Sequence, residues 1–139
     1  MKRILIDTDV ILDFFFDRKP FSEFAAIILS LCEENKIQGF VTPVILSNVY
    51  YLLRQTARHD KVIEKLSQLL SITDVLLMDK NVVFHALNSG FKDFEDALQH
   101  SSCMHDGAID AIITRNVKDF RLSEIAVMTP EDFIATLRF

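Results

Sequence analysis

The chain has 139 residues, a length that fits one domain. Half of it is hydrophobic, with 12 Phe, no Trp, 3 Gly and 3 Pro, which supplies one core and excludes a disordered or turn-repeat chain. A net charge of −5 argues against a general nucleic-acid binder with a basic excess, although a metal ion can neutralise an acidic site locally.

In chain order, residues 3–7 read as a buried strand that runs directly into Asp7 and Asp9. Lys2-Arg3 begins like a secretory signal, but Asp7 and Asp9 interrupt the apolar region such a signal needs. Residues 21–35 predict a helix, with Phe21, Phe24, Ala25, Ile28, Leu31 and Cys32 at helical spacing. The longest apolar run, Phe24 to Cys32, is broken by Ser30 and falls far short of the ~18 residues of a membrane span. A cytoplasmic protein with no membrane partner is expected.

A short strand at 38–42 precedes a helix at 43–57, opened by Pro43 where the missing N–H costs nothing. A charged amphipathic helix follows at 60–71, then a strand at 74–78 and a helix at 80–89 with Gly90 as its C-cap. A helix at 93–105, strands at 111–114 and 124–128, and a final helix at 130–137 capped by Thr129 complete the chain. Strands alternate with helices throughout and no linker divides them. The expectation is α/β: one three-layer α/β/α domain over residues 1–139 with a central parallel sheet of four to five strands. Cys32 and Cys103 lie apart in apolar helical patterns and read as buried core thiols. His59, His85, His100 and His105 show no ligand spacing.

Ligands of a parallel α/β sheet bind beyond the carboxyl ends of its strands. Asp7 and Asp9 follow the first strand, Asp93, Glu95 and Asp96 open a helix, and Asp119 follows the fourth strand. Hard cations such as Mg²⁺ want oxygen ligands from a few carboxylates, and two such ions can drive phosphodiester hydrolysis. Bland roles are compatible with this. Asp93 suits an N-cap with Asp96 favoured by the helix dipole, and Asp9 and Asp119 suit turns.

Three blocks give a family resemblance: Ile4-Leu5-Ile6-Asp7-Thr8-Asp9-Val10-Ile11-Leu12-Asp13, Asp93-Phe94-Glu95-Asp96-Ala97-Leu98-Gln99, and Ile112 to Phe120 with Thr114, Asn116 and Asp119. In order and spacing the chain resembles a PIN domain, the nuclease fold of many bacterial toxins paired with antitoxins. The resemblance implies a ribonuclease dependent on Mg²⁺ or Mn²⁺ that cleaves RNA by metal-activated water. Asp7, Asp96 and Asp119 would be catalytic metal ligands converging on one pocket. Asp93, Thr8, Asp9, Thr114 and Asn116 would support them, and Arg115 and Lys118 would meet phosphates. A small antitoxin and a homodimer are the implied partners, with Phe14, Phe15, Phe16, Tyr50, Tyr51 and Phe139 as apolar surface candidates.

One departure stands out. The family usually places a Glu on the helix after the second strand, where this chain has Asn48. Asn48→Glu is then expected to restore or raise activity if the missing carboxylate limits it. Two other readings start from the same residues. A PIN-like binding module without activity follows from the missing Glu. A haloacid-dehalogenase-type phosphatase would use Asp7 as nucleophile, Asp9 as acid/base and Thr42 as its second motif, but its closing acids should follow a strand, not open a helix. A receiver domain, with Asp79 as phosphorylation site, lacks the Lys expected after the fifth strand.

Overall fold

The computed structural model describes residues 1–138. Five parallel strands form one sheet: β1 (Arg3–Ile6), β2 (Gln38–Val41), β3 (Thr73–Val75), β4 (Ala111–Ile113) and β5 (Ala126–Met128), in the spatial order β3-β2-β1-β4-β5. Ile4, Leu5, Ile6, Ile112 and Ile113 are fully buried, as continuous apolar strands of a sheet covered on both faces should be. Seven helices among the described residues flank it: α1 (Thr8–Phe15), α2 (Phe21–Glu33), α3 (Pro43–Leu53), α4 (His59–Ile72), α5 (Lys80–Leu87), α6 (Phe94–Asp106) and α7 (Pro130–Ala135). The expected three-layer α/β/α architecture is therefore present.

Chain order explains where the crevice falls. From β1 the chain moves outward to β2 and β3, then returns to lay β4 on the opposite side of β1. Leu5 pairs with Phe40 on one side and with Ile112 on the other. The direction of winding reverses between β1 and β4, and such a switch point opens a crevice beyond the strand carboxyl ends. The ladder continues one bond past β1, with Asp7 N–H donating to the Ile113 carbonyl at 3.0 Å. Asp7 thus leaves the sheet in a fixed position.

Local signals account for most helix starts. Asp7, Thr42, Asp79, Asp93 and Thr129 each accept a first-turn backbone N–H and cap α1, α3, α5, α6 and α7. Gly107, at φ 80°, ends α6 in the left-handed region. Gly39 is required by packing, because a Cβ there would stand 2.7 Å from Cys32 Sγ. Cys32 and Cys103 are buried free thiols, and burial pushes the Cys32 thiol up to about 12.

Several boundaries differ from expectation. Helix α1 had no counterpart in the sequence reading. Val10, Ile11 and Leu12 are buried while Asp9 and Asp13, four residues apart, share another face, but the helix has only eight residues and follows β1 after Asp7 alone, so its apolar residues merge with the strand's run. The 3₁₀ turn Val117–Phe120 is likewise an addition. Helix α3 stops at Leu53 rather than 57, β3 is limited to Thr73–Val75, and α5 is capped by Asn88 rather than Gly90. Phe139 lies outside the described residues. No helix among the described residues is long and apolar enough to cross a membrane.

Candidate metal centre at the sheet switch point

A cavity of about 580 Å³ opens beyond β1 and β4, lined by Asp7, Thr8, Asp9, Leu12, Arg18, Asn48, Tyr51, Leu52, Glu95, Asp96, Gln99 and Asn116. Its floor is built by the loop after β4. Thr114 Oγ1–H donates to Asp7 Oδ2 at 2.9 Å and accepts from Asn116 N–H at 3.1 Å. The second Asp7 oxygen accepts from Thr8 N–H at 2.8 Å. Asp9 Oδ2 accepts from Arg115 N–H at 3.0 Å, while Asp9 Oδ1 is buried with no hydrogen-bond partner among the described residues.

Residues 9 and 13 are one helical turn apart and face the same loop. Asp13, only 1 % exposed, accepts from Arg115 Nε at 2.7 Å and from Nη2 at 2.9 Å. The Arg115 guanidinium also lies 4.1 Å from the centre of the Phe21 ring. The guanidinium expected to meet phosphates therefore sits between Asp13 and Phe21. Its charge is taken up by Asp13, and it lines a separate groove with Phe21, Phe24 and Pro130. Arg18 lines the main cavity and also approaches Asp13, with Nη1 3.5 Å from Asp13 Oδ1.

The opposite wall comes from α3 and α6. At depth, the fully buried Thr42 donates to Gln99 Oε1 at 2.6 Å and caps α3 through Ile45 N–H. That role leaves Thr42 no part in a phosphatase motif, and Asp79 is an N-cap rather than a phosphoacceptor. Nearer the rim, Asn48 Nδ2–H donates to Glu95 Oε2 at 3.0 Å. Glu95, Gln99 and Arg18 were absent from the expected site. The signal for two of them was spacing: Gln99 follows Glu95 by four residues and Asp96 by three, so all share the cavity face of α6.

Of the residues named from the sequence, Asp7, Thr8, Asp9, Asn48, Asp96 and Asn116 line this one cavity. Asp119, Asp93 and Lys118 do not line this cavity. They surround an adjoining concavity that shares only Asp96 with it. Asp119, on the 3₁₀ turn, lines that concavity with Asp96 and bears on it as a neighbouring charge.

Burial and like charges disfavour ionisation here. Burial and the Asp9 carboxylate push Asp7 up to about 6, and burial with Asp93, Asp7, Asp119 and Glu95 pushes Asp96 up to about 7. Asp9 is raised by burial, opposed by the Arg115 N–H. The donor set is all oxygen, with four carboxylates and the amides of Asn48, Gln99 and Asn116, and no His or Cys. It fits a hard cation rather than zinc, and the unpartnered Asp9 oxygen is the kind of group a cation would satisfy. Among the described residues no three His, Cys, Asp or Glu side chains are already closed around one point.

A pH-dependent stability follows. The folded state holds the Asp7 proton more tightly than the unfolded chain, whose carboxyl titrates near 3.8. Stability is therefore lost as pH rises from about 3.8 to about 6, and the deficit persists above. In metal-free protein, Asp7→Asn should stabilise the fold by on the order of 1–3 kcal/mol at pH 8 and far less at pH 4. Urea unfolding in EDTA measures both; a loss of stability at pH 8 would contradict the burial argument.

Comparison with known proteins places this geometry. A PIN domain family model matches residues 3–118. Ribonuclease VapC1 of Aquifex aeolicus is 25% identical over 137 residues, covering 95% of this chain and 93% of that protein. The VapBC2 structure from Rickettsia felis, bound to a DNA fragment from its promoter, superposes with a TM-score of 0.67 at 13% identity, covering 91% of this chain and 96% of that one. Mycobacterium tuberculosis VapC20, described as a sarcin-ricin loop cleaving toxin, superposes with a TM-score of 0.61 at 14% identity, covering 78% and 86%. The family match runs from β1 past β4 and so takes in both walls of the switch-point cavity: the chain belongs to the PIN domain family.

Proposed function

We propose that this chain is a divalent-metal-dependent endoribonuclease of the toxin type. The observation that carries the reading is the meeting of Asp7 and Asp9 with Glu95 and Asp96 in one cavity at the β1/β4 switch point. The family membership and the ribonuclease name of the Aquifex relative support it. Asp7 and Asp96 would hold Mg²⁺ or Mn²⁺, with Asp9 adding its unpartnered oxygen. When bound, such an ion supplies an activated water and stabilises charge on the phosphodiester oxygens.

The chain's own residues set the geometry. The Thr114 hydroxyl and Thr8 N–H fix both oxygens of Asp7, so the carboxylate enters the site in one orientation. Arg18 at the cavity and Lys118 in the adjoining concavity would meet flanking phosphates. Tyr51, 67% exposed beside the acids, offers a face on which an unpaired base stacks, which favours single-stranded RNA. Asp119 would act on this substrate from beyond Asp96 rather than beside Asp7.

The proposal includes a small antitoxin partner, in keeping with the VapBC assembly among the structural neighbours, a cytoplasmic location, and a homodimer. The exposed Phe14, outside the acidic cavity, gives self-association an apolar surface. Light scattering of concentrated protein should read twice 16.0 kDa; a monomer mass would remove the dimer.

Activity is tested on a mixed single-stranded RNA pool with Mg²⁺ or Mn²⁺. Wild type should cleave, and EDTA, Asp7→Asn and Asp96→Asn should each lower the rate by at least 100-fold, the scale on which removing one charge-stabilising group is felt. Cleavage that survives both EDTA and Asp7→Asn would refute the mechanism. A silent wild type that binds RNA would favour the binding-module reading, which Asn48 alone recommends.

A further inference from the structure

Building on the metal-centre reading above, we propose that Glu95 supplies the carboxylate that α3 lacks, and that Asn48 is a positioning residue that holds Glu95 over the cavity. The sequence makes Asn48 look like a lost ligand. The geometry gives it a different task. An ionised carboxylate can only accept, so the 3.0 Å contact fixes the Asn48 amide with its NH₂ group toward Glu95. Asn48 and Glu95 are 47 residues apart and lie on separate helices, so this bond spans the cavity rim from α3 to α6.

A second bond fixes the register of the two helices. Thr42, at the N-cap of α3, is tied to Gln99, one turn after Glu95 on α6. With Gln99 held at depth, Glu95 is aimed at the same cavity that Asp7 and Asp96 line. Its charge already bears on both of them. A carboxylate carries about four lone-pair sites, so the bond to Asn48 leaves Glu95 able to face a cation. The amide contributes direction without charge. A glutamate at position 48 would face Glu95 with a second carboxylate and no donor between them. This reverses the expectation drawn from sequence, that Asn48→Glu repairs the site.

The test is Mn²⁺ binding by the full chain, followed by calorimetry and by the paramagnetic resonance of free Mn²⁺, neither of which depends on cleavage. Glu95→Gln keeps an acceptor for Asn48 and removes only the charge. It should weaken Mn²⁺ binding about tenfold while its melting temperature stays near that of wild type. Asn48→Glu alone should bind no tighter than wild type. The exchanged pair Asn48→Glu/Glu95→Asn restores one acid and one amide and should recover binding to within a few-fold. Glu95→Gln binding like wild type, or Asn48→Glu binding tenfold tighter with Glu95 present, would overturn the assignment while leaving the metal centre standing. A wild-type chain that binds no Mn²⁺ at millimolar concentration would overturn the metal centre and this assignment together.

Discussion

The parallel pairing of β1 with β4 is the constraint on which the site depends. It sets Leu5 beside Ile112 and Ile6 beside Ile113, between segments more than a hundred residues apart. Once those fully buried strands are in register, Asp7 must emerge next to Thr114. A slip of one residue would turn each strand's side chains to the opposite face. It would also separate the Thr114 hydroxyl from the Asp7 carboxylate. The hydrophobic core thus decides the orientation of a charged group that lies outside it.

The acids on this frame work against one another, and the fold confines that conflict. Asp7, Asp9, Glu95 and Asp96 share one cavity, and two of them are pushed toward neutral pH by burial and mutual repulsion. Asp13, the most buried of the acids on α1, does not line that cavity and accepts two hydrogen bonds from Arg115. Removing one partner from such a pair costs roughly 3–5 kcal/mol. The pair therefore anchors the loop after β4, whose Arg115 N–H and Thr114 hydroxyl in turn hold Asp9 and Asp7.

The sheet and most helices were legible because their signals are local. Buried strands carry continuous apolar runs, and the caps at Thr42, Asp93 and Thr129 carry their own acceptors. Helix α1 was not legible because it has only eight residues and follows β1 after Asp7 alone, so its apolar residues merge with those of the strand. The acids at positions 7, 9 and 96 were readable from their places at a strand end and a helix start. The 3₁₀ turn that sets Asp119 beside Asp96 has no signal in the pattern. The partner of Arg115, the buried Asp13, is likewise a tertiary contact that the pattern does not show. The Asn48–Glu95 bond is tertiary and has no signature in either segment alone.

The central claim is that this cavity exists to hold a divalent cation between the strand-borne and helix-borne acids. A crystal structure of the wild-type chain soaked in Mn²⁺ tests it most directly, through the anomalous signal of the metal. The account expects a peak between Asp7 and Asp96, with at least one oxygen of each at ligand distance, roughly 2.0–2.6 Å for hard cations. An ion bound only at the Asp93–Asp119 concavity, or no ion in the switch-point cavity at saturating Mn²⁺, would contradict it.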